Sequence, residues 1–314
     1  MRRSVLGTAL AALALGACVD TQAPDNSPSA PTSTKSSLPV VETMQVTANA
    51  ANGYDITLRF INPPTRAQEA FFRAAESRWE AIITGDVPNT TGTIGARTCG
   101  SSFATPVFKG EIDDVLIDVL LQPIDGPGAV LGAAGPCLIR SADRLSLYGI
   151  MFFDTADLDF LADFGIFDEV VVHEMGHVLG IGTLWRLKSL LTGVGTLDPR
   201  FIGPKAIAGY LEVGGRGKSV PVEEGFGPGT RLSHWDEETF DKELMTGFIG
   251  TKGAPLSVMT IGSVGDLGYE VSTATADNYQ VSGRQERTAG DAAEADKIHI
   301  GGREKLITPL GVVD

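Results

Sequence analysis

Two histidines and one glutamate at residues 173–177 have the spacing that zinc chemistry requires. The segment reads VVVHEMGHVLGIG from Val170 to Gly182. In a helix, His173 and His177 project from the same face and can share a tetrahedral zinc ion. Glu174 is rotated by about 100° from His173, so it can hold a water at the metal without binding the metal itself. Two core histidines on an apolar helix are the alternative, but they would leave Glu174 as a buried acid without a partner.

A catalytic zinc site usually has three protein ligands, and this motif supplies only two of them. The chain contains four histidines, so two others are available. His299 lies in the polar sequence IHIGGREK, where we expect a solvated side chain. His234 follows His177 by 57 residues, and Met245 follows His234 by 11. A third ligand must therefore come from a segment distant in sequence.

The order and separation of these motifs resemble those of the leishmanolysin-like branch of the metzincin metallopeptidases. In that family a long insertion separates HExxHxxG from the third histidine, and a Met-turn follows. This chain reads HEMGHVLG up to Gly180, but it has Thr183 where the compact metzincin pattern has its third histidine. The similarity covers about residues 170–271 and includes LSVMTIGSVGDLGYEV, which resembles the family's C-terminal helix.

The resemblance implies an α+β fold of the two-lobed zincin and metzincin type. An N-terminal mixed sheet would carry the active-site helix, and a loop-rich C-terminal lobe would end in a helix. One zinc ion per chain would be bound by three histidines: His173, His177 and His234. Glu174 would be the general base, and Met245 would be the Met-turn residue beneath the metal. The implied reaction is endopeptidase hydrolysis of protein or peptide substrates by a zinc-activated water.

Two other functions remain open at this point. A gluzincin-type peptidase would take an acidic third ligand from the insertion between Leu184 and Ser233 in place of His234. A lipid-anchored extracytoplasmic binding module would use a metallopeptidase scaffold without turnover, although such proteins usually lose the base or a ligand. The acids available in the insertion are Asp198, Glu212, Glu223 and Glu224.

The N-terminal half has the periodicity of a helix and several strands that could support the motif. Residues 65–84 have helical spacing, with Thr65 and Gln68 as a capping box and Gly85 placed to end the helix. Strands are expected at residues 44–60, 115–121, 129–140 and 146–153.

The two motif-bearing helices have start and stop signals of their own. We expect the metal-binding helix at residues 170–179, with Asp168 as its cap. We expect the C-terminal helix to begin after Ser257 and to end at Gly268.

Charge and cysteine content narrow the class of protein further. There are 25 basic and 39 acidic residues, a balance that argues against a nucleic-acid partner. An acidic exported protein could hold an accessory Ca²⁺, but no loop of known calcium-ligand spacing supports one. Cys99 and Cys137 are expected to form a disulfide, with two free thiols or a metal pair as the alternatives.

The first 17 residues are predicted to be a lipoprotein signal peptide. Arg2 and Arg3 precede an apolar run, Val5 to Leu15, that is too short for a permanent membrane helix. The following LGAC resembles a bacterial lipobox, which implies lipidation of Cys18, and an ordinary secretory signal is the alternative. We therefore expect an exported protein of the cell envelope, attached to a membrane by its N-terminal lipid. Val19 is not the aspartate associated with inner-membrane retention, so the outer membrane or cell surface is favoured.

Composition also suggests the domain boundaries. Residues 18–39 are rich in Pro, Ser and Thr and are predicted to be a flexible tether. Residues 40–182 would form the N-terminal catalytic lobe, and residues 183–282 the C-terminal lobe with the third ligand and the Met-turn. No role is predicted for residues 283–314.

Overall fold

Apolar runs in the N-terminal half form the strands of a mixed sheet, and helices with one apolar face pack against it. The computed structural model describes residues 53–251, 253–281 and 297–314. The signal peptide, the tether and the first part of the strand expected at 44–60 lie outside the described residues.

The described secondary structure is mixed α+β, as expected. The strands are β1 (Ile56–Phe60), β2 (Thr90–Ile94), β3 (Phe108–Ile112), β4 (Val115–Gln122), β5 (Gly132–Arg140), β6 (Ser146–Asp154), β7 (Leu191–Thr192), β8 (Arg200–Phe201), β9 (Val220–Pro221), β10 (Phe248–Gly250), β11 (Lys297–His299), β12 (Glu304–Leu306) and β13 (Gly311–Val313). The α-helices are α1 (Arg66–Ile82), α2 (Thr155–Phe164), α3 (Phe167–Leu179), α4 (Pro204–Glu212), α5 (Glu237–Phe240) and α6 (Val258–Leu267).

The largest sheet in the described residues has the strand order β1-β4-β6-β5-β12, and β13 also pairs with β5. Strands β1, β4 and β6 are parallel to one another, whereas β5 is antiparallel to β6. Strands β12 and β13 are parallel to β5 and lie along its outer side. The C-terminal residues are therefore part of the main sheet, although the sequence predicted no role for them.

The predicted capping box at the start of α1 is confirmed. The Thr65 hydroxyl accepts a hydrogen bond from the Gln68 amide at 3.2 Å, and the Gln68 side chain accepts one from the Thr65 amide at 2.9 Å. The predicted end at Gly85 is wrong, because α1 ends at Ile82. Ile83 has an extended backbone (φ −88°, ψ 113°) and forms a bridge with Val271.

Helix α1 and the sheet hold α3 in place from two sides. The rings of Phe72 in α1, Phe153 in β6 and Phe167 in α3 pack edge to face, with centroids 5.6–6.0 Å apart. The buried Trp79 indole donates a hydrogen bond to the Val172 carbonyl oxygen at 3.0 Å. These contacts fix the rotation of α3 about its own axis and its distance from the sheet. They therefore set the direction in which the side chains of α3 point.

The sheet separates two apolar cores, because alternate residues of a strand point to opposite faces. Met151 and Phe153 face the core that contains α1 and α3, whereas Phe152 faces a second core. Cys99 and Cys137 lie in this second core and are joined by a disulfide, with their Cα atoms 5.0 Å apart. Among the described helices, none combines the length and apolar character needed to span a membrane.

Candidate metal centre

Helix α3 carries His173, Glu174 and His177, and all three side chains are buried. The helix begins at Phe167, earlier than predicted, and Asp168 is not its cap. The N-cap is Ile166, which follows the left-handed Gly165 that ends α2, so the two helices are too close in sequence for Asp168 to stand outside α3. Asp168 instead lies in the first turn, where a negative charge is favourable at the helix N-terminus.

Two glycines after the helix bring the distant His234 segment to it. Gly180 ends α3 with φ +117°, and a Cβ there would lie 2.7 Å from Leu184. Gly182 has φ +73°, and a Cβ there would lie 2.1 Å from the carbonyl oxygen of Ser233. Only glycine permits both conformations and this close approach. The residue next to His234 therefore packs directly on the turn that follows α3.

The three histidines meet at their Nε2 atoms. His173 and His177 have Nε2 atoms 2.9 Å apart, and each of them lies 3.1 Å from Nε2 of His234. None of the three side chains is exposed. The structure thus brings together the histidines that the resemblance implied, although 57 residues separate His177 from His234.

Backbone partners determine which nitrogen of each ring carries the proton. A carbonyl oxygen can only accept, so each Nδ1 that faces one is the protonated atom, and each Nε2 keeps a lone pair. Three lone pairs at this separation repel one another unless a cation lies between them. Each Nδ1 donates to a carbonyl oxygen: His173 to Leu244 at 2.7 Å, His177 to Ile181 at 2.9 Å, and His234 to Thr230 at 3.1 Å.

Burial also favours the neutral form of the two histidines on α3. It lowers the pKa of His173 and lowers the pKa of His177 well below the ordinary value for histidine. Neutral imidazole is the form that binds metal, so the electrostatics agree with the hydrogen bonding. The group fits a divalent metal ion of borderline softness, for which imidazole is a preferred ligand.

A fourth group in the centre is Glu304 of β12, which no motif in the sequence indicates. Its Oε1 lies 3.0 Å from Nε2 of His234 and 3.6 Å from Nε2 of His177, and its Oε2 lies 3.7 Å from Nε2 of His173. Neither oxygen has a hydrogen-bond partner among the described residues. The ligand atoms of Glu304 and the three histidines lie within 4.8 Å of one another. The four gluzincin candidates Asp198, Glu212, Glu223 and Glu224 are not among these residues.

Glu174 follows His173 on α3 and lies close enough to Glu304 for their charges to interact. Burial, and then the charge of Glu304, raise the pKa of Glu174 well above its ordinary value. Its Oε2 has no hydrogen-bond partner among the described residues. A buried carboxyl with a raised pKa and a free oxygen can take up and release a proton during a reaction.

Met245 packs against α3, the helix that carries His173 and His177. A Cβ on Gly176 would lie 3.3 Å from the Met245 Sδ atom, so the thioether contacts α3 between its two histidines. The Met245 carbonyl oxygen accepts a hydrogen bond from the Trp235 amide at 2.9 Å. Trp235 directly follows His234, so this bond connects the Met245 turn with the third histidine.

A buried carboxylate, Glu243, fixes the turn before Met245 and the start of α6. It accepts hydrogen bonds from the Met245 amide at 2.7 Å, from the Ser257 amide at 3.1 Å, and from the Ser257 hydroxyl at 2.7 Å. The Thr260 hydroxyl donates to it as well. Ser257 also caps α6, as predicted, and Gly268 follows the last helical residue.

Replacement of Glu243 by alanine should lower the free energy of unfolding by about 3 kcal/mol or more, because several buried donors lose their acceptor and each costs about 1–3 kcal/mol. Urea denaturation of the two proteins measures the difference. Glu212→Ala is the matched control, since Glu212 is exposed at the end of α4 and should change stability by less than about 0.5 kcal/mol. Equal urea midpoints for Glu243→Ala and Glu212→Ala would show that the hydrogen bonds of Glu243 contribute nothing to the free energy of unfolding.

His299 is not the solvated side chain that the sequence predicted. It is half-buried and lies in β11, which pairs with β10. Its ring stacks on Phe248 with centroids 4.3 Å apart, and its Nε2 is 3.0 Å from the Thr230 hydroxyl. The polar residues from Gly301 to Lys305 suggested a solvated tail, whereas His299 itself stands between two buried isoleucines, Ile298 and Ile300.

A model of the leishmanolysin family matches residues 98–285, which is more than half of the chain. The chain belongs to the leishmanolysin family. Its membership confirms the resemblance and places it among the metallopeptidases. No match was found among curated proteins. The region shared with leishmanolysin includes the three histidines, Glu174 and Met245, whereas Glu304 lies beyond its end.

Proposed function

We propose that this member of the leishmanolysin family is a zinc-dependent endopeptidase that acts on protein or peptide substrates. The observation that carries the proposal is the convergence of three unprotonated Nε2 atoms next to Glu174. Three imidazoles are a common ligand set for catalytic zinc, with Zn–N distances of about 2.0–2.1 Å. We also propose the two-lobed zincin arrangement. In it, the substrate-binding cleft lies between the sheet and the loops that carry His234.

The residues of the chain have separate tasks in this mechanism. A zinc ion held by His173, His177 and His234 would supply an acidified water and a Lewis acid for the peptide carbonyl. Glu174 takes a proton from the attacking water and transfers it to the leaving amine. The carbonyl groups that accept from each Nδ1 orient the rings and increase their basicity. The buried surroundings strengthen these electrostatic interactions.

The endopeptidase assignment is tested by the products of digestion. Mass spectrometry of unfolded casein incubated with the full chain should show new internal termini, and a zinc chelator should abolish them. A serine-protease inhibitor should have no effect, because the mechanism forms no acyl-enzyme. Products that differ from the substrate only by loss of terminal residues would exclude an endopeptidase, and chelator-resistant cleavage would exclude the metal mechanism.

The proposal extends to the location of the protein, which rests on the N-terminal sequence alone. We place the chain in the cell envelope, attached to a membrane by a lipid on Cys18 and exposed on the outer membrane or cell surface. Cys18→Ala should move the protein out of the membrane fraction of expressing cells. Equal membrane association of wild type and Cys18→Ala would contradict lipid anchoring.

A further inference from the structure

The C-terminal residues cover the free side of β5, the strand next to the metal centre. Residues of β12 pair with Gly132–Ala134, and residues of β13 pair with Leu138–Arg140. Backbone hydrogen bonds of 2.7–2.9 Å continue between and beyond these pairs, for example from the Ile307 amide to the Ala134 carbonyl oxygen and from the Leu310 amide to that of Cys137. An extended peptide could reach this side of β5 only by displacing the C-terminal residues, because its donors and acceptors are already paired.

The same segment closes the metal centre. The Glu304 carboxylate faces the three histidine Nε2 atoms, and the side chains of all four residues are fully buried. A catalytic zinc site keeps one position open for water or substrate, whereas a structural site is closed by protein ligands. With Glu304 in place, three imidazoles and one carboxylate form a complete set of four ligands. In this closed arrangement, no ligand position is left for a substrate.

Two further contacts hold the segment where it enters the fold. The Lys297 ammonium lies 2.5 Å from carboxylate oxygens of Glu237 and Asp241, which stand at the start and just past the end of α5, between His234 and Met245. His299 stacks on Phe248 as described above. At the other end, Leu310 and Val312 are 63% and 61% exposed, and among the apolar residues of the last strand only Val313 packs, partly buried, against the second core. The segment is thus firmly attached at its start and weakly packed at its end.

We propose that residues 297–314 are an intramolecular inhibitor of this peptidase. Glu304 takes the fourth ligand position and β12 and β13 occupy the side of β5, so hydrolysis requires the segment to withdraw. This inference rests on the proposed zinc peptidase function. It differs from a structural role for Glu304, in which the carboxylate would be needed to retain the metal.

The test uses the full, zinc-loaded chain and two readouts in addition to zinc content: the affinity for acetohydroxamate, a small zinc-chelating probe, and the rate of casein hydrolysis. Glu304→Ala should bind the probe about tenfold or more tightly, because apparent affinity scales with the fraction of open molecules. Casein hydrolysis should rise by a similar factor, and zinc content should stay at one per chain. Lys305→Gln, on the exposed neighbour in β12, is the control and should match wild type in all readouts.

A second variant separates steric occupation from charge. Glu304→Asp keeps the negative charge but shortens the side chain, so the inhibitor model expects it to open the site as well. Wild-type probe affinity in both Glu304→Ala and Glu304→Asp would overturn the proposal. Loss of zinc from Glu304→Ala would also overturn it, in favour of a structural ligand.

The same data distinguish failure of this inference from failure of the proposed function. Tighter probe binding without casein hydrolysis in Glu304→Ala would support the inhibitor segment and argue against the peptidase activity. Chelator-sensitive hydrolysis at equal rates in wild type and Glu304→Ala, with equal probe affinity, would support the peptidase and overturn the inhibitor.

Discussion

Glu174→Gln should reduce the rate of peptide hydrolysis by about 10²- to 10⁴-fold, the range expected for loss of a general acid–base. Glutamine has nearly the same shape as glutamate but cannot take a proton from water or return one to the leaving amine. The side chain does not belong to the group of four that can hold a metal, so zinc content should remain unchanged. Steady-state hydrolysis of casein, at a zinc content verified by elemental analysis, measures the effect.

The control for this prediction is an acid on the same helix. Asp168 is exposed in the first turn of α3, and Asp168→Asn should leave the rate within about twofold, as expected for a surface substitution of less than about 0.5 kcal/mol. Equal rates for Glu174→Gln and wild type would rule out Glu174 as the base. Loss of zinc from Glu174→Gln would instead show that the carboxylate helps to hold the metal.

His234→Ala should weaken zinc binding by more than about 100-fold, since even residues that only support a ligand contribute about 10- to 100-fold. The remaining candidate ligands, His173, His177 and Glu304, are one short of the four-residue site. Bound zinc should therefore stabilise the variant much less than wild type. At a free zinc concentration of about 100 times the wild-type Kd, zinc stabilises wild type by about 2.7 kcal/mol and the variant by no more than about 0.4 kcal/mol, so at least about 2.3 kcal/mol is lost. Competition with a chromophoric chelator gives the affinity, and thermal unfolding with and without zinc gives the stabilisation.

Glu224→Gln is the informative control for His234→Ala. Glu224 lies in the insertion and is one of the acids that a gluzincin-type site would use, but in the structure it forms an ion pair with Arg231 at 3.4 Å. We expect its replacement to leave zinc affinity unchanged. Zinc loss in Glu224→Gln together with full zinc retention in His234→Ala would show that the third ligand is Glu224 and not His234.

Local patterns in the sequence were sufficient where neighbouring residues determine the structure. The capping box at Thr65, the cap of α6 at Ser257 and the buried strands β4 and β6 all depend on side chains within a few residues. The HExxH spacing likewise identified two histidines of the centre and the adjacent Glu174. For these elements, the residue types and their periodicity already contain the physical cause of the structure.

Features that depend on distant pairing were missed or misplaced. Glu304 is in a three-residue strand whose position is set by β5, and nothing in the sequence around it distinguishes it from a surface acid. His299 was expected in water because it lies in a polar tail, yet the buried Ile298 and Ile300 flank it and its ring stacks on Phe248. Asp168 was expected as a cap because the tight connection from α2 through Gly165 could not be foreseen. The signal in the sequence that could have pointed to Glu304 is the short strand pattern of β12, which begins at this glutamate.

Peptide hydrolysis is expected to depend on a single zinc ion bound at the three-histidine centre. Titration of zinc into chelator-stripped wild-type protein, with casein hydrolysis as the readout, measures this dependence. We predict no hydrolysis without metal, a rate that rises in proportion to added zinc, and a plateau at one zinc per chain. Hydrolysis that is independent of zinc, or stoichiometric zinc binding at the three histidines with no hydrolysis in either wild type or Glu304→Ala, would contradict the account.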